Sequence, residues 1–245
     1  MQFETQRLRL RPWHPTQDAR HAMDIFGAQK VMNWVEPADI DTNLRQVQNR
    51  LQRYAEQTRQ AKNGTGSWAV VQKDIGRVIG HIILMPLPDI KEVRSDHVIE
   101  PIEDGLPTDY IEIGWHFRPA SWGFGYAKEA AYCIMQHAFS ELMLPMLLAV
   151  AYPDNHRSIA LMDRLGMKDE GVTTRLYGGQ ILRLYVMGAE SFLENAQSAL
   201  GALSAKGSVQ PSVQAETTPL QAAPEAAPEE TPEAALEAAP EETPA

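Results

Sequence analysis

Arg118-Pro119-Ala120-Ser121-Trp122-Gly123-Phe124-Gly125-Tyr126-Ala127 lies between a run that reads as a strand, Tyr110 to Phe117, and one that reads as a helix, Tyr126 to about Leu142. Gly123 and Gly125 permit a tight turn, and they let a ligand approach the backbone with no Cβ in the way. The amides of Phe124, Gly125, Tyr126 and Ala127 then converge on the helix N-terminus, where the macrodipole favours an anion. A diphosphate suits that geometry. The stretch is not a P-loop, since no Gly-Lys-Ser/Thr follows. It also lacks the third glycine and the β-α-β start of a dinucleotide fingerprint. Taken alone, it fits a plain strand–helix turn equally well.

Outward from this turn, strands and helices alternate. On the N-terminal side, Leu8 and Leu10 alternate with Arg7, Arg9 and Arg11, a half-buried strand stopped by Pro12. Asp18–Phe26 is a short helical pattern. A longer one runs from Thr42 to about Lys62, with Leu44, Val47, Leu51 and Tyr54 on one face, Asp41 or Thr42 as its cap and Asn63-Gly64 at its end. Ser67–Lys73 and Arg77–Met85 form a hairpin about Asp74-Ile75-Gly76. On the C-terminal side, the helix after the turn keeps Ala127, Ala131, Ile134, Ala138 and Leu142 on one face. Met146–Tyr152 is a continuous apolar run, as expected of a strand buried on both faces. Asn155–Leu165 reads as a helix closed by Gly166, and two strands flank Tyr177-Gly178-Gly179-Gln180 and end near Met187. An antiparallel meander followed by βαβα predicts the α/β (α+β) class with a mixed sheet.

The 245 residues carry a formal net charge of −10 and one cysteine. A lone Cys133 excludes an intrachain disulfide framework, a cysteine-based zinc site and a CxxC redox motif. No run approaches the roughly 18 apolar residues needed to span a bilayer. Met1-Gln2-Phe3-Glu4-Thr5 does not open a secretory signal. The acidic balance argues against a protein that binds nucleic acid by broad phosphate neutralisation. These features predict a soluble, cytoplasmic protein with no membrane or nucleic-acid partner. Eight glutamates and one lysine fall in residues 198–245, so that segment carries −7 and residues 1–197 carry −10 − (−7) = −3. The segment repeats Ala-Ala-Pro-Glu-Glu-Thr-Pro at 226 and 238, and it has too few large apolar side chains to offset its ordering entropy. A folded domain over 1–197 and a disordered Ala/Pro/Glu-rich tail over 198–245 are expected. Within the domain, 87–109 reads as an acidic insertion loop, either overhanging a site or merely solvated.

The turn has company. Ile111-Glu112-Ile113-Gly114-Trp115 precedes it, Lys128-Glu129-Ala130 continues it, and Tyr152-Pro153-Asp154-Asn155-His156-Arg157-Ser158 follows, with Leu165-Gly166-Met167 and Glu170-Gly171 beyond. With the opening Glu4-Thr5-Gln6-Arg7-Leu8-Arg9-Leu10-Arg11, these segments resemble the GNAT acetyltransferase superfamily, in particular its ribosomal-protein-alanine N-acetyltransferase (RimJ/RimL-like) branch. The resemblance covers roughly residues 3–190. It implies a mostly antiparallel sheet flanked by helices, with acetyl-CoA as cosubstrate in a cleft where two parallel central strands splay apart. It further implies that Trp122, Gly123, Phe124, Gly125, Tyr126, Ala127 and Asn155 bind this cofactor. Trp122 stands where the superfamily often has Arg or Gln. Arg118, Lys128 and Arg157 flank the loop and could meet phosphates or simply sit in surface ion pairs.

Acyl transfer to an amine needs a group that takes a proton from the nucleophile and one that gives a proton to the leaving thiolate. Alternation puts Ile111, Ile113, Trp115 and Phe117 on one strand face and Glu112, Gly114 and His116 on the other. Several superfamily members use a glutamate on this strand, so Glu112 is the candidate base; a structural hydrogen bond would equally account for it. His116 reads as structural. Asp154 or Asn155 is a good N-cap, and the resemblance places Ser158 near the sulfur as general acid. The tyrosine acid common in the superfamily is absent, its position being Met162. Cys133 and His137, one helical turn apart, read as structural, and no metal is expected. The expected activity is acetyl transfer from acetyl-CoA to a primary amine, a protein N-terminus or a small amine such as a polyamine, amino acid or aminoglycoside. The enzyme would act as a monomer or homodimer. A non-catalytic acyl-CoA-binding module is the alternative.

Overall fold

In a computed structural model of the chain, the described residues are 1–35, 40–61, 64–87 and 110–207. The expected insertion at 87–109, apart from Leu87, and the tail from 208 onward lie outside them. The elements in chain order are β1 (Phe3–Glu4), β2 (Leu8–Pro12), α1 (Pro15–Phe26), α2 (Gln29–Met32), α3 (Leu44–Ala61), β3 (Gly66–Gln72) and β4 (Arg77–Pro86). They continue with β5 (Ile111–Phe117), α4 (Tyr126–Ser140), β6 (Met146–Ala151), α5 (His156–Leu165), β7 (Lys168–Thr173), β8 (Leu182–Gly188) and α6 (Ala189–Gly207). Helix α6 crosses residue 197, where composition alone places the end of the folded domain. The short strand β1 and helices α2 and α6 carry no strong sequence signal.

The strands form one sheet in the order β1-β2-β3-β4-β5-β6-β8-β7. Every neighbouring pair is antiparallel except β5 and β6, which run parallel and pair only at Glu112–Leu148. Helices α4 and α5 cover one face, where Ile111, Ile113, Ile134, Ala138, Leu147 and Met162 share a core. Phe192 of α6 joins it against Phe139, with ring centroids 5.0 Å apart. Helices α1 and α3 cover the other face, with Phe26, Ile25, Val47 and Leu51 packed on Ala69, Val71 and Val78. Burying both faces of the central strands is what their apolar runs require, and it is the main stabilising term in the fold.

Helix ends show where local chemistry and tertiary demand compete. Gly166 closes α5 at φ 78° and Asn155 caps its start, as read from the sequence. Helix α3 departs from expectation. Its cap is Asn43, whose Oδ1 accepts from the Gln46 amide at 3.1 Å, while Gln46 Oε1 accepts from Thr42. Asp41 does not cap because Arg50 holds it, at 2.7 Å, with both side chains buried. Leu44, read as part of the apolar face, is 41% exposed. Among the described residues no helix is long and apolar enough to cross a membrane.

Removing Arg50 leaves the Asp41 carboxylate buried without its counter-ion. Breaking such a pair from one side costs about 3–5 kcal/mol. Arg50→Met is therefore expected to unfold at clearly lower denaturant in urea titrations. The double variant Arg50→Met/Asp41→Leu should recover much of the loss.

Candidate active site

The single parallel pairing leaves a slot between β5 and β6 that opens toward their C-terminal ends. Each strand leads into a helix at that mouth. After β5, a 3-10 turn at Pro119–Ser121 brings the chain to Gly123 (φ 86°) and Gly125 (φ 78°), a left-handed conformation that favours glycine. The amides of Phe124, Gly125, Tyr126 and Ala127 donate to no backbone carbonyl among the described residues. They sit at the start of the fifteen-residue α4, where an anion is favoured. Added Cβ atoms at Gly123 would meet nothing within 4 Å, so this side of the turn is open. The residues present fit a diphosphate.

The turn is held from the far end of the chain. Glu129, in the first turn of α4, accepts from Thr5 Oγ1 at 2.5 Å, from the Arg7 amide at 2.9 Å and from Arg7 Nε at 2.7 Å. Arg7 also donates to the Phe124 carbonyl at 3.0 Å and lies over the Tyr126 ring at 4.6 Å. Trp122 is fixed by its own Nε1, which donates to the Phe117 carbonyl at 2.7 Å. Arg157, from α5 across the slot, lays its guanidinium 4.5 Å over the Trp122 ring. A cation thus stands at the position where Trp122 itself offers none. Arg118, by contrast, turns inward, donating to Ser121 Oγ at 2.8 Å.

Glu112 stands at the one residue pair that joins β5 to β6, on the α1/α3 face of the sheet. It is 7% exposed. Burial pushes its carboxyl up to about 7, opposed by a hydrogen bond that the Tyr177 hydroxyl donates to Oε2. No cation neutralises this carboxylate among its described partners. Tyr177 comes from the β7–β8 connection, 65 residues away, at φ 50°, a backbone region a bulky side chain seldom adopts. Sequence reading missed Tyr177. Its signal is only a Tyr-Gly-Gly turn, which reads as hairpin punctuation.

Ser158 and Asn155 lie at the start of α5, on the opposite face from Glu112. Asn155 Oδ1 accepts from the Ser158 amide at 3.2 Å, so this cap accounts for the asparagine oxygen and the serine amide but not for the serine hydroxyl. The structure brings Ser158, Asn155, Arg157 and Trp122 together at the slot mouth; no described contact joins them to Glu112. His116 is half-buried, with Nδ1 3.1 Å from His81 Nδ1. His137 Nε2 lies 3.1 Å from the Gly64 carbonyl, and burial raises the Cys133 thiol, as suits structural side chains.

A sheet split between two parallel strands, with an amide-lined turn at the mouth of the split, defines a class of transferase folds. The sequence profile of the acetyltransferase (GNAT) domain matches residues 7–168, more than half of the chain, and the chain belongs to that family. It is 42% identical over 60 residues to YnaD, an uncharacterized N-acetyltransferase of Bacillus subtilis, covering 24% of this chain and 35% of that protein. It is 31% identical over 104 residues to the FsC-acetyl coenzyme A-N(2)-transacetylase of Aspergillus fumigatus, covering 42% and 39%. The chain thus spans little more than a third of the length of these two relatives. The ribosomal-protein-S5-alanine acetyltransferase of Vibrio fischeri shares the fold, with TM-score 0.56 and 16% identity over 78% of this chain and 98% of that one.

Glu112 makes the fold pH-dependent in a direction opposite to a salt-bridged carboxylate. Below its ordinary value of 4.5 the group is protonated folded and unfolded alike, and burial carries no charge penalty. As pH rises through about 7 the folded protein must hold a desolvated carboxylate, and stability falls by about 3 kcal/mol at most. Glu112→Gln removes that loss. Urea denaturation should find the variant more stable than the parent at pH 8 and equal to it at pH 4.5; an equal difference at both pH values would contradict this.

Proposed function

We propose that the domain over residues 1–197 transfers an acetyl group from acetyl-CoA to a primary amine, with Glu112 as base. The observation that carries this reading is a buried carboxylate, poised near neutrality and without a counter-ion among the described residues, at the base of a split whose mouth is lined by amides that have no acceptor among those residues. The cosubstrate's diphosphate is held by the amides of Phe124–Ala127 and by Arg157 above Trp122, while Asn155 meets the pantetheine arm. The thioester then enters the slot from the α4/α5 face, and the amine approaches from the α1/α3 face, where Glu112 lies. Attack by the neutral amine forms the C–N bond, and its proton passes to the Glu112 carboxylate. Collapse of the tetrahedral adduct breaks the C–S bond, and Ser158 Oγ gives the departing thiolate its proton, taking one back from solvent as Glu112 releases its own to solvent. Tyr177 keeps the Glu112 carboxylate aimed and stops burial from raising it further.

The resemblance to the ribosomal-protein branch favours a protein N-terminal amine as acceptor over a small amine. The 198–245 segment is an acidic appendage to this catalytic unit.

With excess acetyl-CoA and acceptor, kcat is expected to rise with pH to a plateau above about 7, tracking ionisation of Glu112. Glu112→Gln should lower kcat by about 10²–10³ while leaving acetyl-CoA affinity intact. Arg157→Gln should weaken acetyl-CoA binding by about tenfold in calorimetry and flatten its salt dependence, with little effect on S-acetylpantetheine, which has no diphosphate. Binding of acetyl-CoA no tighter than that of ATP or NAD would overturn the reading.

A further inference from the structure

Ser67 on β3, His81 on β4 and His116 on β5 form a line across three neighbouring strands, on the sheet face that carries Glu112. Ser67 Oγ is 2.6 Å from His81 Nε2, and His81 Nδ1 is 3.1 Å from His116 Nδ1. Ser67 and His81 are fully buried. The His81 ring is gripped by Tyr54, stacked at 4.7 Å, and by the edges of Trp13 and Phe26. Both imidazoles are neutral at physiological pH. Burial, then the charges nearby, hold His81 well below its ordinary range; burial and the Arg50 charge bring His116 to about 4.

Hydrogen-bond accounting orders the protons in this line. His81 is the only hydrogen-bond partner of the Ser67 hydroxyl among the described residues. A buried hydroxyl that only accepted from His81 would leave its own O–H without an acceptor. Ser67 therefore donates to His81 Nε2. An imidazole accepting at Nε2 carries its proton on Nδ1, so His81 donates to His116 Nδ1. His116 in turn carries its proton on Nε2, the one polar atom of the line with no hydrogen-bond partner among the described residues. His116 remains partly exposed. Gly114 separates it from Glu112 on the same strand face, and Ile83 lies over that gap, 3.0 Å from where a Gly114 Cβ would be. The floor thus runs from a carboxylate, over an isoleucine, to an N–H donor of fixed polarity.

We infer that His116 binds the acceptor by donating from Nε2 to an oxygen next to the attacked amine, with Ser67 and His81 as positioning residues that fix its tautomer. The inference rests on the acetyltransferase reading above. It selects an acceptor with a carbonyl one carbon from its amine-bearing carbon, the arrangement of an α-amino amide. A polyamine, whose next polar group is a second ammonium, brings a donor to a donor and is disfavoured.

Two measurements on the full-length protein test this. Long-range ¹H–¹⁵N correlation on histidine-labelled protein at pH 7.5 should find His81 protonated at Nδ1 and His116 at Nε2; the reverse pair, or a charged ring, overturns the assignment. Thiol release with alaninamide and with propylamine should then give a ratio of kcat/KM values. His116→Phe is expected to collapse that ratio about tenfold through KM for alaninamide, and His116→Gln, which restores a donor, to recover it. Ser67→Ala should shrink the ratio as well, from a position that cannot touch the acceptor. A ratio unmoved by these changes overturns the role of His116 alone. Thiol release with neither amine, from protein that binds acetyl-CoA, overturns acetyl transfer itself and the acceptor role with it.

Discussion

Strands β5 and β6 share one residue pair and then part. A parallel pair is ordinarily held by evenly spaced slanted hydrogen bonds along its length; here Glu112–Leu148 is the whole of it. The sheet tolerates this because each strand keeps its other neighbour. Ile111–Phe117 pairs with β4 at every residue, and Met146–Ala151 does so with β8. The split therefore leaves a gap inside a sheet rather than a frayed edge. Both α4 and α5 begin at its mouth, and α4 brings there amides that have no backbone acceptor among the described residues. What can bind there follows from the gap.

At the closed end of the gap, the electrostatic setting of Glu112 matters as much as its position. An arginine beside it would hold the carboxyl in its ordinary range and make it a weak base. The structure keeps arginines occupied elsewhere. Arg50, on the α1/α3 side, is paired with Asp41, and Arg7 with Glu129. Arg11 on the same side is likewise paired, with Asp18 of α1. Among the described residues only Tyr177 hydrogen-bonds the carboxylate, and a neutral donor moderates the effect of burial without cancelling it. The price is a fold that loses stability as this carboxyl ionises.

Much of this was legible in the chain. Period-two alternation places Glu112 opposite Ile111 and Ile113, and strand–turn–helix spacing places the open amides of Phe124–Ala127. The Asn155 cap and the Gly166 stop are local and were readable as such. What escaped is non-local. Asp41 stands in a good capping position, yet Arg50, nine residues on, claims it, and Asn43 caps α3 instead. Arg157 looks like any surface cation until α5 packs beside the turn and puts it over Trp122. Tyr177 reaches Glu112 only because β8 pairs with β6 and carries its loop across the sheet. The second half of helix α6 has an alanine-rich sequence that reads as tail, and the aromatic that packs the helix on the core is Phe192, against Phe139 and Tyr132.

The opening Thr5-Gln6-Arg7 illustrates how a motif can be shared without being chemical. Thr5 and Arg7 hold Glu129 and the Phe124 carbonyl, and so fix the direction in which the amides of the turn point. An anion site made of backbone donors gains its strength from preorganisation, since each amide must already face the ligand. A turn with two glycines would otherwise be the least ordered part of the site. Clamping it from the connection between β1 and β2, more than a hundred residues earlier in the chain, turns a flexible sequence into a fixed cradle. The α1/α3 side is fixed by other means, through the hydrogen bonds that join Ser67, His81 and His116. The two walls of the slot therefore obtain their rigidity independently, one from ion pairs and one from buried hydrogen bonds.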